Sequence, residues 1–274
     1  MTQLAVYKWI IWVAYLITFI AYLRFFVKQQ SRLRPYLWMF LGITILLHFG
    51  YLGWLSLRLH RLPVGNLFEV MTSIVLLYSL VYFGLERIIK DESIGVIILP
   101  LSLLFQFISN LFIDTSKQLA PVLLKVTFFE VHVTTMMFAY SGFTISFIAS
   151  ILYILLSREI HNKQLGFFFS RLPSLELLDR LSNLAVVVGV TFITAGILLG
   201  IYMANQVWGR GWPTDPKLIS VFVTWVIYVA FLYFRNARGW QGIRASYISI
   251  GGFIWLLLSF VVITTFFSRL HSFT

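Results

Sequence analysis

The sequence predicts an all-α fold, a polytopic membrane bundle of about eight transmembrane helices. Hydrophobic residues make up 59% of the 274, and charged residues only 11%, against about 25% in a soluble domain. Mean hydropathy is +0.88. The apolar residues fall in long runs free of Asp, Glu, Lys and Arg, at 36–56, 94–113, 184–204 and 247–268, and about 20 such residues cross a bilayer. Lipid offers the backbone no hydrogen-bond partner, so these runs must be helices.

The expected spans are 7–27, 36–56, 66–84, 94–113, 128–156, 184–204, 217–234 and 247–268. The first is longer than a signal-peptide core and lacks an Ala-x-Ala ending, so it is expected to stay as a helix. Asn66 is a suitable cap for the third, with Glu69 at its third helical position. Thr214 or Asp215 can cap the seventh, and Pro216 suits a first helical turn. No internal repeat or low-complexity linker interrupts the chain, which reads as one domain, 1–274. There are no cysteines, which excludes disulfides, thiolate metal sites and thiol redox chemistry within the chain.

The net charge of +11 reads as cationic loops against anionic headgroups of the lipid bilayer, and no nucleic-acid partner is expected. The first, third, fifth and seventh loops hold thirteen Lys and Arg, and the opposite side with both termini holds eight. The richer side is expected to be cytoplasmic and both termini outside. In the fifth loop, 157–183, Leu172, Leu175, Leu178 and Leu181 recur at helical spacing, which predicts a short amphipathic helix lying among the headgroups.

Polar and aromatic residues gather at what would be the outer face. The loop Val207-Trp-Gly-Arg-Gly-Trp-Pro-Thr-Asp-Pro-Lys217 carries Trp208 and Trp212 four residues apart. Gly209 and Gly211 allow close approach of backbone to a flat ligand; an interfacial aromatic belt is the plainer alternative. His132 stands at the outer end of helix five, His271 just past helix eight, and the segment His60 to Glu69 leads into helix three. His48 lies within helix two, where a neutral imidazole packed between helices is the ordinary case.

Two imidazoles on opposite sides of a flat ligand, with indoles around it, describe a bis-histidine haem site. Arg210 and Lys217 are placed to pair with propionates. There is no His-Glu-x-x-His and no phosphate-binding Gly-x-x-x-x-Gly-Lys.

At these residues the sequence resembles the cytochrome c assembly proteins that handle haem, of the CcsA and CcmC type. Their loop reads approximately Trp-Gly-x-x-Trp-x-Trp-Asp-Pro-Lys-Glu, matched here by Trp208, Gly209, Trp212, Asp215, Pro216 and Lys217. The resemblance implies that His132 and His271 are the two external haem ligands, with Trp208, Gly209, Arg210, Trp212, Asp215 and Lys217 around a non-covalent b-type haem. It also covers His60 to Glu69, similar to a His-x-Pro-x-x-Asn-x-x-Glu segment, and Leu172 to Asp179. The departures are Thr214 for the third tryptophan, Leu218 for the glutamate, and Tyr233 where haem exporters carry a histidine in helix seven.

The resemblance implies a component of cytochrome c maturation in the bacterial cytoplasmic membrane, with the Trp-rich loop outside. Such a component holds haem and presents it to apocytochrome c, whose own thiols form the bonds. A membrane partner with a large external domain, of the CcsB or ResB type, would complete a haem-attachment complex. Two other readings are a HemX-like regulator of haem biosynthesis and a small-molecule permease, the latter requiring an inverted repeat and broken helices.

Overall fold

The computed structural model describes residues 2–28, 32–113, 128–163, 166–208 and 216–259. Their secondary structure is helical: α1 (Thr2–Lys28), α2 (Arg34–Leu59), α3 (Leu67–Ile89), α4 (Gly95–Phe112), α5 (Phe129–His161), the short α6 (Phe167–Arg171), α7 (Leu175–Trp208), α8 (Pro216–Arg238) and α9 (Ile243–Leu258). Seven are long and apolar enough to cross a membrane, and α9 is a shorter apolar helix. The chain is a multi-pass membrane protein. The eighth expected span, 247–268, is described only as far as residue 259.

The chain forms two compact units. Residues 1–118 and 164–173 make the first, and residues 119–163 and 174–274 the second. In unit 1, α1 packs on α2 and α4, and α3 on α2 and α4, closing a four-helix bundle. Local chemistry sets its helix ends. Pro35 opens α2, and His60 closes it in the left-handed region, its N–H donating to the Ser56 carbonyl. Asn66 caps α3 by accepting from Phe68 N and Glu69 N at 3.1 and 2.9 Å. Lys90, also left-handed, ends it.

Unit 2 is a second four-helix bundle, of α5, α7, α8 and α9. Its core holds Phe143, Val186, Ile193, Tyr228 and Phe231, all essentially buried, with Phe143 stacked on Tyr228 at 3.7 Å between ring centroids. Lipid is as apolar as leucine, so close backbone approach holds such helices together. A β-carbon on Gly142 would stand 2.6 Å from the Ala185 carbonyl oxygen, and one on Gly189 would meet Phe143. Further along the same seam Ser146 bonds Ser182 at 2.9 Å and Ser249 at 2.8 Å.

The fifth loop differs from its expected form. Leu175, Leu178 and Leu181 belong to the first turns of the long α7, with Leu178 and Leu181 buried. The short helix is α6, one turn earlier in the chain. Helical periodicity is real here, but it serves a protein core rather than a headgroup plane. Asp179 explains the polar residue in that stretch. Its carboxylate accepts from both Arg235 terminal nitrogens, at 2.9 and 2.6 Å, and from Gly242 N at 2.9 Å, tying α7 and α8 to the start of α9.

Candidate functional site around His132

His132 lies in the first turn of α5, its N–H donating to the Phe128 carbonyl. Its Nδ1 is 2.9 Å from the Gly196 carbonyl oxygen on α7. A carbonyl can only accept, so Nδ1 carries the proton, and in the neutral ring Nε2 carries the lone pair. Histidine ligands to metals are commonly fixed in this way, with one ring nitrogen donating to a carbonyl and the other facing the metal.

Glycine makes the placement possible. A β-carbon on Gly200 would come within 3.2 Å of His132 Cε1, and one on Gly196 would meet the Met136 sulfur. The imidazole therefore lies against bare backbone on α7. From Gly200 to Trp208, where α7 ends, is eight residues, about 12 Å along the axis.

Of the expected site residues, Trp208 is the last of α7 and Lys217 the second of α8. Gly209, Arg210, Trp212, Asp215 and His271 lie outside the described residues. Tyr233, at the position of the helix-seven histidine, is 56% exposed. Among the described residues no group of three His, Asp or Glu could hold a metal ion.

Unit 1 contains a separate buried chain centred on His48, which is fully buried. Tyr15 Oη is 3.1 Å from His48 Nδ1, and His48 Nε2 is 3.1 Å from Thr72 Oγ1. Thr72 donates to Gln106 Oε1 at 3.0 Å, Gln106 Nε2 to Asn110 Oδ1 at 2.8 Å, and Asn110 Nδ2 to the Lys8 carbonyl at 2.8 Å. The direction of the chain follows. Thr72 has one proton, spent on Gln106, so it accepts from His48 Nε2–H. His48 Nδ1 then accepts from Tyr15. Both ring nitrogens are engaged, and His48 is a structural histidine bridging α1, α2 and α3. His48→Ala is expected to leave buried partners unpaired and to cost about 1–3 kcal/mol. Thermal unfolding of purified protein should show it, with bound-ligand absorption unchanged.

The segment His60 to Glu69 is also more than a cap. Glu69, fully buried, accepts from Arg61 Nη1 and Nη2 at 2.6 and 3.0 Å, from Gly65 N at 2.7 Å and from Asn66 Nδ2 at 3.0 Å. Ser73 donates to the Pro63 carbonyl at 2.8 Å. Sequence reading finds Asn66 and Glu69 but not the arginine eight residues back. It also passes over Gly196 and Gly200, whose spacing of four in an apolar run was the available signal, and the same spacing at Gln106 and Asn110.

Comparison with known proteins shows the family. The family model described as "Cytochrome C assembly protein" matches residues 64–272. Among similar proteins is "Cytochrome c biogenesis protein CcsA" of Guillardia theta, 31% identical over 231 residues, 77% of this chain and 76% of that protein. The protein of the same name from Heterosigma akashiwo is 27% identical over 259 residues, 82% and 80% of the two chains. That from Prochlorococcus marinus (strain MIT 9515) is 28% identical over 277 residues, 93% and 88%. With a match across three quarters of its length and a membrane bundle to carry it, this chain belongs to the cytochrome c assembly protein family.

Proposed function

We propose that this chain is the haem-binding component of a cytochrome c maturation system in the bacterial cytoplasmic membrane. It holds a non-covalent b-type haem at the outer face between His132 and His271, beneath the Trp-rich loop. The observation that carries this reading is the Nδ1–H bond from His132 to the Gly196 carbonyl. It leaves the lone pair on Nε2, and it fixes the ring against the helix that runs into Trp208 and the loop beyond.

When bound, haem would supply an iron for imidazole nitrogens and the ring to which the apocytochrome's own thiols become joined. The chain itself contains no thiol. Its residues would bind and orient that group: His132 from α5 and His271 would hold the iron, Trp208 and Trp212 would pack on the ring, Arg210 and Lys217 would pair with propionates, and Gly209 and Asp215 would belong to the loop around it. Catalysis by such a component is positioning. A membrane partner with an external domain, CcsB-like or ResB-like, receives apocytochrome c beside it. Tyr233 offers no imidazole on α8, so external holding rather than passage of haem through unit 2 is the activity proposed.

Deleting the chain in its own cells tests this. Covalent c-type haem, stained on denaturing gels, is expected to disappear while non-covalent b-type haem persists. Normal c-type haem with altered levels of a haem-synthesis enzyme would overturn the proposal in favour of a HemX-like regulator.

A further inference from the structure

A pocket of about 250 Å³ opens in unit 1 at the ends of its helices. Phe25 and Phe26 reach it from the end of α1, Arg34 from the start of α2, Asp91 and Glu92 from the turn between α3 and α4. Arg171 and Leu172, at the end of α6 and just after it, close the far wall. Helix ends of this bundle lie at the level where hydrocarbon meets headgroups.

The lining holds both signs of charge. Arg34 Nε is 2.8 Å from Glu92 Oε2, and its Nη2 donates to the Lys90 carbonyl at 2.7 Å. Asp91 folds back on Ser93, accepting from its backbone N–H at 3.0 Å. A third carboxyl stands one turn deeper. Glu86 is 3% exposed, with the Tyr22 hydroxyl 2.9 Å from each of its oxygens. Among the described residues no Lys, Arg or His nitrogen lies within 4.0 Å of Glu86. Its partner Tyr22 is one turn from Phe26 on α1, and Glu86 itself does not line the pocket.

A simple anion would meet two carboxyls here, and a simple cation two guanidinium groups. A zwitterion with an adjacent apolar tail suits the whole lining. We propose that this pocket binds the headgroup of a phospholipid bearing a primary ammonium, as in ethanolamine lipids. Its phosphate faces Arg171 and Arg34, its ammonium faces Asp91 and Glu92, and its glycerol end lies along Phe25, Phe26 and Leu172. A primary ammonium has N–H donors for carboxylate oxygens, whereas a quaternary choline has none. Ethanolamine lipid should therefore be preferred over choline lipid of the same chains.

Native mass spectrometry of the full chain, released from vesicles of equal ethanolamine, choline and glycerol phospholipids with identical chains, tests this. One ethanolamine lipid is expected to stay bound under activation that strips the others. Asp91→Asn keeps the cap on Ser93, so folding is preserved, and should cut the preference over choline lipid about tenfold. Glu92→Gln should lower it in the same direction. Arg171→Gln should weaken all three lipids together. Equal retention of ethanolamine and choline lipids by the wild type, or an undiminished preference in both carboxyl variants, would overturn the proposal. Displacement of the lipid by free phosphoethanolamine at matching concentration would also overturn it, because the apolar wall would then contribute nothing.

Discussion

His132→Ala is expected to abolish the six-coordinate haem spectrum of the purified protein, or to convert it to a five-coordinate one with haem content reduced at least tenfold. On the proposed ligation the imidazole is one of two iron ligands, and no other histidine of α5 or α7 can replace it: α7 has none, and the other one of α5, His161, lies at the opposite end of that helix. Gly200→Val is the informative companion. A β-carbon there already approaches Cε1 at 3.2 Å, so a branched side chain must push the ring off Gly196. The ligand remains in the sequence but loses its orienting hydrogen bond. A change of this kind outside the ligand set costs about 10–100-fold in affinity. Titration of haem into the apo protein measures both, and a Gly200→Val protein that binds haem like wild type would show that the Gly196 bond does not matter.

Arg235→Leu is expected to give the largest loss of stability. The Arg235 and Asp179 side chains are 12% and 14% exposed and share two hydrogen bonds. Removing the guanidinium strands a carboxylate at the junction of α7, α8 and α9, which costs about 3–5 kcal/mol. The double variant Asp179→Leu/Arg235→Leu removes both charges and should recover a substantial part of that loss, because the stranded charge is the larger penalty. Thermal unfolding in detergent, or the yield of folded protein from membranes, distinguishes the two. A double variant as unstable as the single would place the defect in packing around Gly242 instead.

Much of the bundle is legible in the amino-acid sequence because a membrane helix advertises itself by length. Runs such as 36–56 and 184–204 have no alternative in lipid. The stretch from Leu172 to Leu181 was harder, because a leucine every three residues says that one face is apolar without saying what covers it. In the folded chain Leu178 and Leu181 are buried within unit 2.

The candidate site was legible where chemistry is local. Asn66 and Glu69 sit one turn apart and cap the same helix. His132 stands out as an imidazole at a helix start. Its partner was hidden, because Gly196 looks like one more small residue in a run of apolar ones. Only the antiparallel packing of α5 on α7 brings it to the ring, 64 positions along the chain. Likewise His48 carries no mark of its neighbours. Tyr15, Thr72 and Gln106 come from three other helices, and Tyr15 and Thr72 between them engage both of its ring nitrogens.

The pairing of two histidines on one iron is best tested by electron paramagnetic resonance of the ferric, haem-loaded protein, comparing wild type with His132→Gly and His271→Gly. A low-spin signal is expected from the wild type, a high-spin signal from each variant, and a return to low spin in each when free imidazole is added. A low-spin signal that survives unchanged in either variant would mean that the missing imidazole never touched the metal.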